Sequence, residues 1–231
     1  MKIQLSDHFS YGRLLRFTMP SIVMMIFTSI YGMVDGYFVS NFVGKTAFAS
    51  VNLIIPYLQI LGGVGAMLGV GGSALVSKTL GERKEEKAAK YFTMMMLLML
   101  GTSLFFTVFG IAVLRPVARL FGATDAMMGD VMRYGGICLL FNIALQGQYT
   151  FQSYLVVAER PKLALGVIVA AGCTNMVLDF LFMAVFQWGT VGAALATGLS
   201  QCVASVLPFA WFVSKKNTSS LRFRKTSLEL V

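Results

Sequence analysis

Six long apolar runs constrain this chain more than any other feature of its sequence. They are 24 to 31 residues long, and only Asp35 and Asp179 place a charge inside them. A helix needs roughly 20 mainly apolar residues to cross the hydrocarbon core of a bilayer. Each run therefore predicts one transmembrane helix. The six predicted helices cover approximately residues 17–40, 47–77, 91–114, 134–158, 163–186 and 188–214.

The composition agrees with this interpretation and excludes a soluble protein. Of the 231 residues 57% are hydrophobic and 13% are charged, whereas soluble domains carry roughly 25% charged residues. We therefore predict an all-α polytopic membrane protein, with a six-helix lobe over residues 1–214. Residues 215–231 then form a basic tail or the start of a linker. No HExxH or GxSxG motif is present, so we expect neither an enzyme nor a cofactor.

The distribution of basic residues predicts the orientation in the membrane. If the amino terminus is cytoplasmic, 15 of the 19 Lys and Arg residues fall on the cytoplasmic side and four on the other. This is the positive-inside pattern, and it also accounts for the net charge of +9 without a nucleic-acid partner. We expect a multi-pass protein of a prokaryotic inner membrane, with both termini in the cytoplasm.

The two intramembrane carboxylates are the strongest candidates for function. An aspartate at the centre of a membrane helix costs roughly 2.5–3.5 kcal/mol on insertion scales, so it normally faces the protein interior and has a role there. The alternative is structural, in which a buried aspartate ties two helices together through hydrogen bonds.

Helix geometry predicts that several polar residues lie at a similar depth. Asp35 lies five residues before the outer end of the first run, and Asp179 lies seven before the end of the fifth. At 1.5 Å per residue these positions are about 7 and about 10 Å deep, and Thr197 is about 13 Å deep on the returning sixth helix. Asn175 precedes Asp179 by four residues and shares its helix face. Such a set suits Na⁺, or a proton shared between two carboxylates.

Three segments of the chain resemble one transporter family. They are MPSIVMMIFTSIYGMVDGYFVSNFVG, GGSALVSKTLGERKEEKAAK and ERPKLALGVIVAAGCTNMVLDFLFMAVFQWGTVGAALATGLSQ. They resemble helices one and two, and then five and six, of multidrug and toxic compound extrusion (MATE) transporters. The resemblance implies a twelve-helix protein of two six-helix lobes that exports organic cations in exchange for Na⁺ or H⁺. This chain then resembles the amino-terminal lobe, and its missing second lobe comes from the same gene or a second copy.

The same resemblance implies which residues form the cation- or proton-coupling site. The residues that match the family's pattern are Asp35, Asn175, Asp179 and Thr197, with the backbone carbonyl of Ala193 and the side chain of Tyr134 as further members. The first four are the candidate ligands for Na⁺. Two alternatives stay open at this point: a lipid-linked saccharide flippase of the same superfamily, and a truncated membrane remnant that transports nothing.

Overall fold

The computed structural model describes residues 11–214, 221 and 223, and within these residues it contains helices but no β-strand. Two of the helices run directly into short π-helical segments, at 39–43 and 180–185. In chain order the α-helices are α1 (Tyr11–Phe38), α2 (Lys45–Gly81), α3 (Glu85–Leu120), α4 (Asp125–Leu140), α5 (Asn142–Val157), α6 (Pro161–Asp179) and α7 (Gly189–Val213).

The prediction of a helical membrane protein is confirmed. Five spans within the described residues are long and apolar enough to cross a membrane: Ile22–Val43, Lys45–Gly81, Glu85–Leu120, Pro161–Val185 and Gly189–Val213. The remaining predicted crossing, over 134–158, corresponds to α4 and α5 together. Each of these has 16 residues and is too short to cross a bilayer alone.

Several helices extend beyond the apolar runs that predicted them. The third run covers 91–114, whereas α3 extends over Glu85–Leu120. The polar loop expected over 78–90 is therefore reduced to the turn 82–84, and the outer loop expected over 115–133 to the turn 121–124. Hydropathy marks only the part of a helix that needs an apolar side-chain surface. The backbone hydrogen bonds continue into polar sequence because residues such as Lys, Glu and Arg are good helix formers.

The fourth predicted helix is interrupted at Phe141, the residue between α4 and α5. Nothing in the local sequence requires the break, since neither proline nor glycine occupies it. Neighbouring helices explain it instead. The Phe141 ring lies directly against Gly198 of α7. On α3, the hydroxyl of Thr107 donates to the carbonyl of Leu139 at 3.1 Å. Polar partners from another helix can thus satisfy backbone groups that a break frees inside a membrane.

The contact between α2 and α5 is close because glycine lies at its centre. A Cβ added at Gly65 would lie 2.5 Å from Cα and 2.6 Å from the carbonyl oxygen of Gln146. The side chains of α5 also hydrogen-bond to α2: the Gln146 amide donates to the Leu61 carbonyl at 3.2 Å, and the Thr150 hydroxyl to the Gly65 carbonyl at 2.9 Å. Small residues and buried hydrogen bonds are the usual means by which membrane helices associate.

Part of the predicted tail packs against the bundle. Leu221 is buried among apolar residues of α2, α3, α5 and α7. The ring of Phe223 lies 5.1 Å from that of Phe92 and 5.7 Å from that of Phe209, centroid to centroid. These two residues therefore contribute to the core. The rest of the predicted tail (215–220, 222 and 224–231) lies outside the described residues.

Candidate functional site

Asp179 lies where an α-helix passes into a π-helical segment, and Asp35 lies about one turn before such a place. Asp179 is the last residue of α6, and the segment Phe180–Val185 follows it directly. Asp35 lies four residues before the segment Val39–Val43, which continues α1. The two π-helical segments contact each other. Such segments are rare and occur often at functional sites, and the sequence analysis contained no signal that predicted them.

A cavity of about 320 Å³ brings four of the six predicted residues together. Asp35 of α1, Tyr134 of α4, Asn175 of α6 and Thr197 of α7 all line it. Of the residues that line this inner cavity, Asp35 is the acidic one, and none is Lys or Arg. Four separate helices therefore present oxygen atoms to one space beside a single carboxylate.

Asp179 lies behind the wall of the cavity and contacts it through Asp35. It is fully buried and does not line the cavity itself. Its carboxyl group lies near that of Asp35, although neither of its oxygens forms a hydrogen bond. Two ionised carboxylates so close together repel each other unless a proton or a cation lies between them. The pair is therefore suited to hold a shared proton or a cation.

Buried oxygen atoms without a hydrogen-bond partner cluster around Asp35 and Asp179. Six buried side-chain polar atoms of the described residues have no hydrogen-bond partner, and five of them belong to predicted site residues. They are Asp35 Oδ1, Asn175 Oδ1, Asp179 Oδ1, Asp179 Oδ2 and Thr197 Oγ1. A buried polar group without a partner costs roughly 1–3 kcal/mol, and more if it is charged. All five atoms can accept from a proton donor or coordinate Na⁺, and carboxylate and carbonyl oxygens are the ligands that hard cations prefer.

The remaining two predicted residues differ in their placement. Tyr134 is buried and lines the cavity together with Thr197 and Cys138. Ala193 is fully buried in the core cluster that also contains Tyr134, but it does not line the cavity. The role of its carbonyl therefore stays a prediction.

The sequence analysis missed several polar residues that line the same cavity. They are Tyr31, Gln59, Asn142, Gln148, Tyr149, Ser200 and Gln201. Two of them interact directly, because the Tyr149 hydroxyl donates to Gln59 Oε1 at 3.1 Å. Glutamine is uncommon inside apolar runs. The positions of Gln59, Gln148 and Gln201 within the predicted helices could therefore have indicated a polar cavity. The described residues contain no group of three or more His, Cys, Asp or Glu side chains that could hold a metal ion.

Comparison with known proteins finds relatives among multidrug exporters. The family model MatE matches residues 20–181. Multidrug export protein MepA of Staphylococcus saprophyticus is 24% identical over 223 residues, which are 94% of this chain and 49% of that protein. MepA of Staphylococcus aureus (strain MRSA252) is 20% identical over 214 residues, which are 93% of this chain and 48% of that protein. The chain thus spans about half the length of the curated relatives it matches.

A solved structure gives the same result for the fold. It is described as an outward-facing conformation of a multidrug resistance MATE family transporter of the MOP superfamily. Its TM-score against this chain is 0.84 at 25% identity, and the match covers 91% of this chain and 46% of that protein. The arrangement of helices around the cavity is therefore also that of one half of a solved transporter.

Proposed function

This chain belongs to the MatE family, and from that premise we propose that it forms the amino-terminal lobe of a secondary antiporter. This antiporter exports organic cations from the cell in exchange for Na⁺ or H⁺. The observation that carries the proposal is the set of buried, unpartnered oxygens around Asp35 and Asp179. An acidic site of this kind attracts cations of both sorts, and a transporter must bind the two alternately to exchange them.

The second lobe belongs to this proposal as a partner. Alternating access requires two halves that rock against each other around a central site. The relatives are about twice as long as this chain, which supports a second lobe supplied by the same gene or by a second copy. The experiments below use the complete gene product, the protein encoded by the whole gene that contains this chain.

Efflux from vesicles tests the function. The complete gene product, reconstituted into liposomes, is expected to move a fluorescent organic cation against its gradient when a Na⁺ or H⁺ gradient is imposed. The gradient that drives the movement identifies the coupling ion, and liposomes with both gradients collapsed are the control. Equal dye movement with and without the gradients would contradict an antiporter. No movement at all would favour the non-transporting remnant.

A lipid-linked saccharide flippase is the other transport function to be tested. Its cargo carries an anionic phosphate, which basic side chains recognise best. The inner cavity contains Asp35 and no Lys or Arg among its lining residues, so it favours cationic cargo. In the same liposome assay, inhibition of dye movement by a lipid-linked phosphate sugar, but not by a competing organic cation, would favour the flippase.

The orientation is a proposal with its own test. The positive-inside pattern predicts that the turn after α2 is cytoplasmic and the turn after α3 is external. Exposed residues are present near both turns, so Glu85→Cys and Thr124→Cys can be introduced after the native cysteines are replaced. In intact cells, a membrane-impermeant maleimide is expected to label Thr124→Cys, and Glu85→Cys only after permeabilisation. The opposite labelling pattern would reverse the orientation.

A further inference from the structure

A second cavity also borders Asp35. It has a volume of about 420 Å³ and lies between the end of α1, the π-helical segment after it and the first turns of α2. We call it the α1–α2 pocket. It shares three lining residues with the inner cavity: Gly32, Asp35 and Ile55. Asp35 is the titratable side chain common to both spaces.

The polar lining of the α1–α2 pocket consists of groups that attract a small cation. Besides Asp35 it contains Ser40, Asn41 and Asn52, and no Lys or Arg lines it. The amide nitrogens of both asparagines are engaged on their own helices. Asn41 donates to the Tyr37 carbonyl at 2.9 Å and Asn52 to the Phe48 carbonyl at 2.8 Å. Because each nitrogen is used as a donor, each amide has its oxygen left to accept from water or to approach a cation.

The backbone at the junction of the two cavities leaves the way to Asp35 open. A Cβ added at Gly32 would meet no heavy atom within 4 Å, so this position borders free space. One turn further along α1 the pocket narrows, since a Cβ at Gly36 would lie 3.3 Å from the ring of Phe48, but its lining continues to Ser40 and Asn41. The predicted topology puts the connection between α1 and α2, around Gly44, on the outer side. The α1–α2 pocket therefore leads from Asp35 towards the outer water.

We propose that the α1–α2 pocket is the route by which the coupling cation, Na⁺ or a hydrated proton, reaches Asp35 from outside. Asn41 and Asn52 line this route with carbonyl oxygens. Asp35 then borders both spaces, and a cation that arrives through the α1–α2 pocket meets the contents of the inner cavity at a single carboxylate. This inference rests on the proposed function for the identity of the cation, but the route itself is a property of the fold.

The route can be tested without relying on transport. In the complete gene product with its native cysteines replaced, Asp35→Cys provides a thiol at the junction. Its rate of reaction with a small cationic methanethiosulfonate reagent then reports access to this position. In unsealed membranes the reagent reaches both faces, so the orientation of the protein does not affect the result.

Two residues on one face of α2 are matched positions at which a bulky side chain can block one cavity or the other. Asn52 and Gln59 are seven residues apart, two helical turns, and both are exposed. Asn52 lines only the α1–α2 pocket, and Gln59 lines only the inner cavity. We expect Asn52→Trp to slow the labelling of Asp35→Cys about tenfold or more, and Gln59→Trp to leave it within twofold. Met67→Trp, at an exposed position of the same helix outside both cavities, is the control for the substitution itself.

Each other outcome overturns the route. If Gln59→Trp slows labelling and Asn52→Trp does not, the cation reaches Asp35 through the inner cavity. If both slow it, the two cavities form one entrance, and if neither does, the route lies elsewhere. Asn52→Leu, a smaller plug that also removes the amide, replaces Asn52→Trp if that variant fails to fold. Absence of ion-driven efflux would contradict the proposed function and would leave the labelling result unaffected, so the two failures are distinguishable.

Discussion

Asp35→Asn and Asp179→Asn are each expected to reduce ion-driven efflux by the complete gene product by about 100-fold or more, while the protein remains inserted and folded. Asparagine keeps the size of the side chain but carries no negative charge and exchanges no proton. A 100-fold loss corresponds to about 2.8 kcal/mol at about 1.4 kcal/mol per factor of ten. The double variant is expected to be no worse than either single one, because residues that act as a unit are not additive. Dye efflux from energised vesicles at matched protein levels measures the effect.

Asp130→Asn is the matched control for these two substitutions. Asp130 lies on α4 and does not line the inner cavity; it accepts a hydrogen bond from the Thr190 hydroxyl at 3.1 Å. An amide oxygen can accept the same bond, so efflux should stay close to the wild-type rate. Wild-type coupling in Asp35→Asn and Asp179→Asn vesicles would contradict the site assignment. Loss of folded protein in these variants would instead favour the structural role, in which the carboxylates tie α1 to α6.

Gly65→Ala is expected to destabilise the lobe strongly, because the added methyl group has no space between α2 and α5. The new Cβ would meet the backbone of Gln146, at 2.5 Å from Cα and 2.6 Å from the carbonyl oxygen. A backbone cannot rotate away as a side chain can, so α2 and α5 must separate. Their separation also weakens the hydrogen bonds from Gln146 to Leu61 and from Thr150 to Gly65. Overpacking costs roughly 1–3 kcal/mol, and the weakened bonds raise the expected loss to about 3 kcal/mol or more.

Gly63→Ala on the same helix is the control. A Cβ at Gly63 would meet no heavy atom within 4 Å, and alanine is favoured over glycine inside a helix by up to about 1 kcal/mol. A loss of about 3 kcal/mol should lower the melting temperature by roughly 6–12 °C for a chain of this size. The two variants are compared by thermal unfolding in detergent, in which the reactivity of the buried cysteine reports the unfolded fraction. Equal melting temperatures would show that α2 and α5 do not approach each other this closely.

The membrane-spanning segments could be predicted from sequence because hydropathy is a local property. A run such as 47–77 must be long and apolar wherever it lies in the bundle, and the structure has one continuous helix there, Lys45–Gly81. The candidate carboxylates were also visible, since an aspartate is conspicuous within an apolar run. Spacing along one helix placed Asn175 and Asp179 on a shared face, and the structure has both buried.

Interactions between distant parts of the chain decided where a helix is interrupted and which polar residues meet. The break at Phe141 has no local cause, because it depends on the ring packing against Gly198 and on Thr107 binding the Leu139 carbonyl. Similar depth of Asp35 and Thr197 followed from helix rise, but whether their faces converge on one cavity depends on how α1, α4, α6 and α7 rotate against one another. The sequence by itself determined which segments cross the membrane and where charge enters it, because both follow from the cost of transferring each residue into lipid. Only the tertiary structure decided which oxygens face one another and which helix breaks, because packing between helices far apart in sequence sets their rotation and approach.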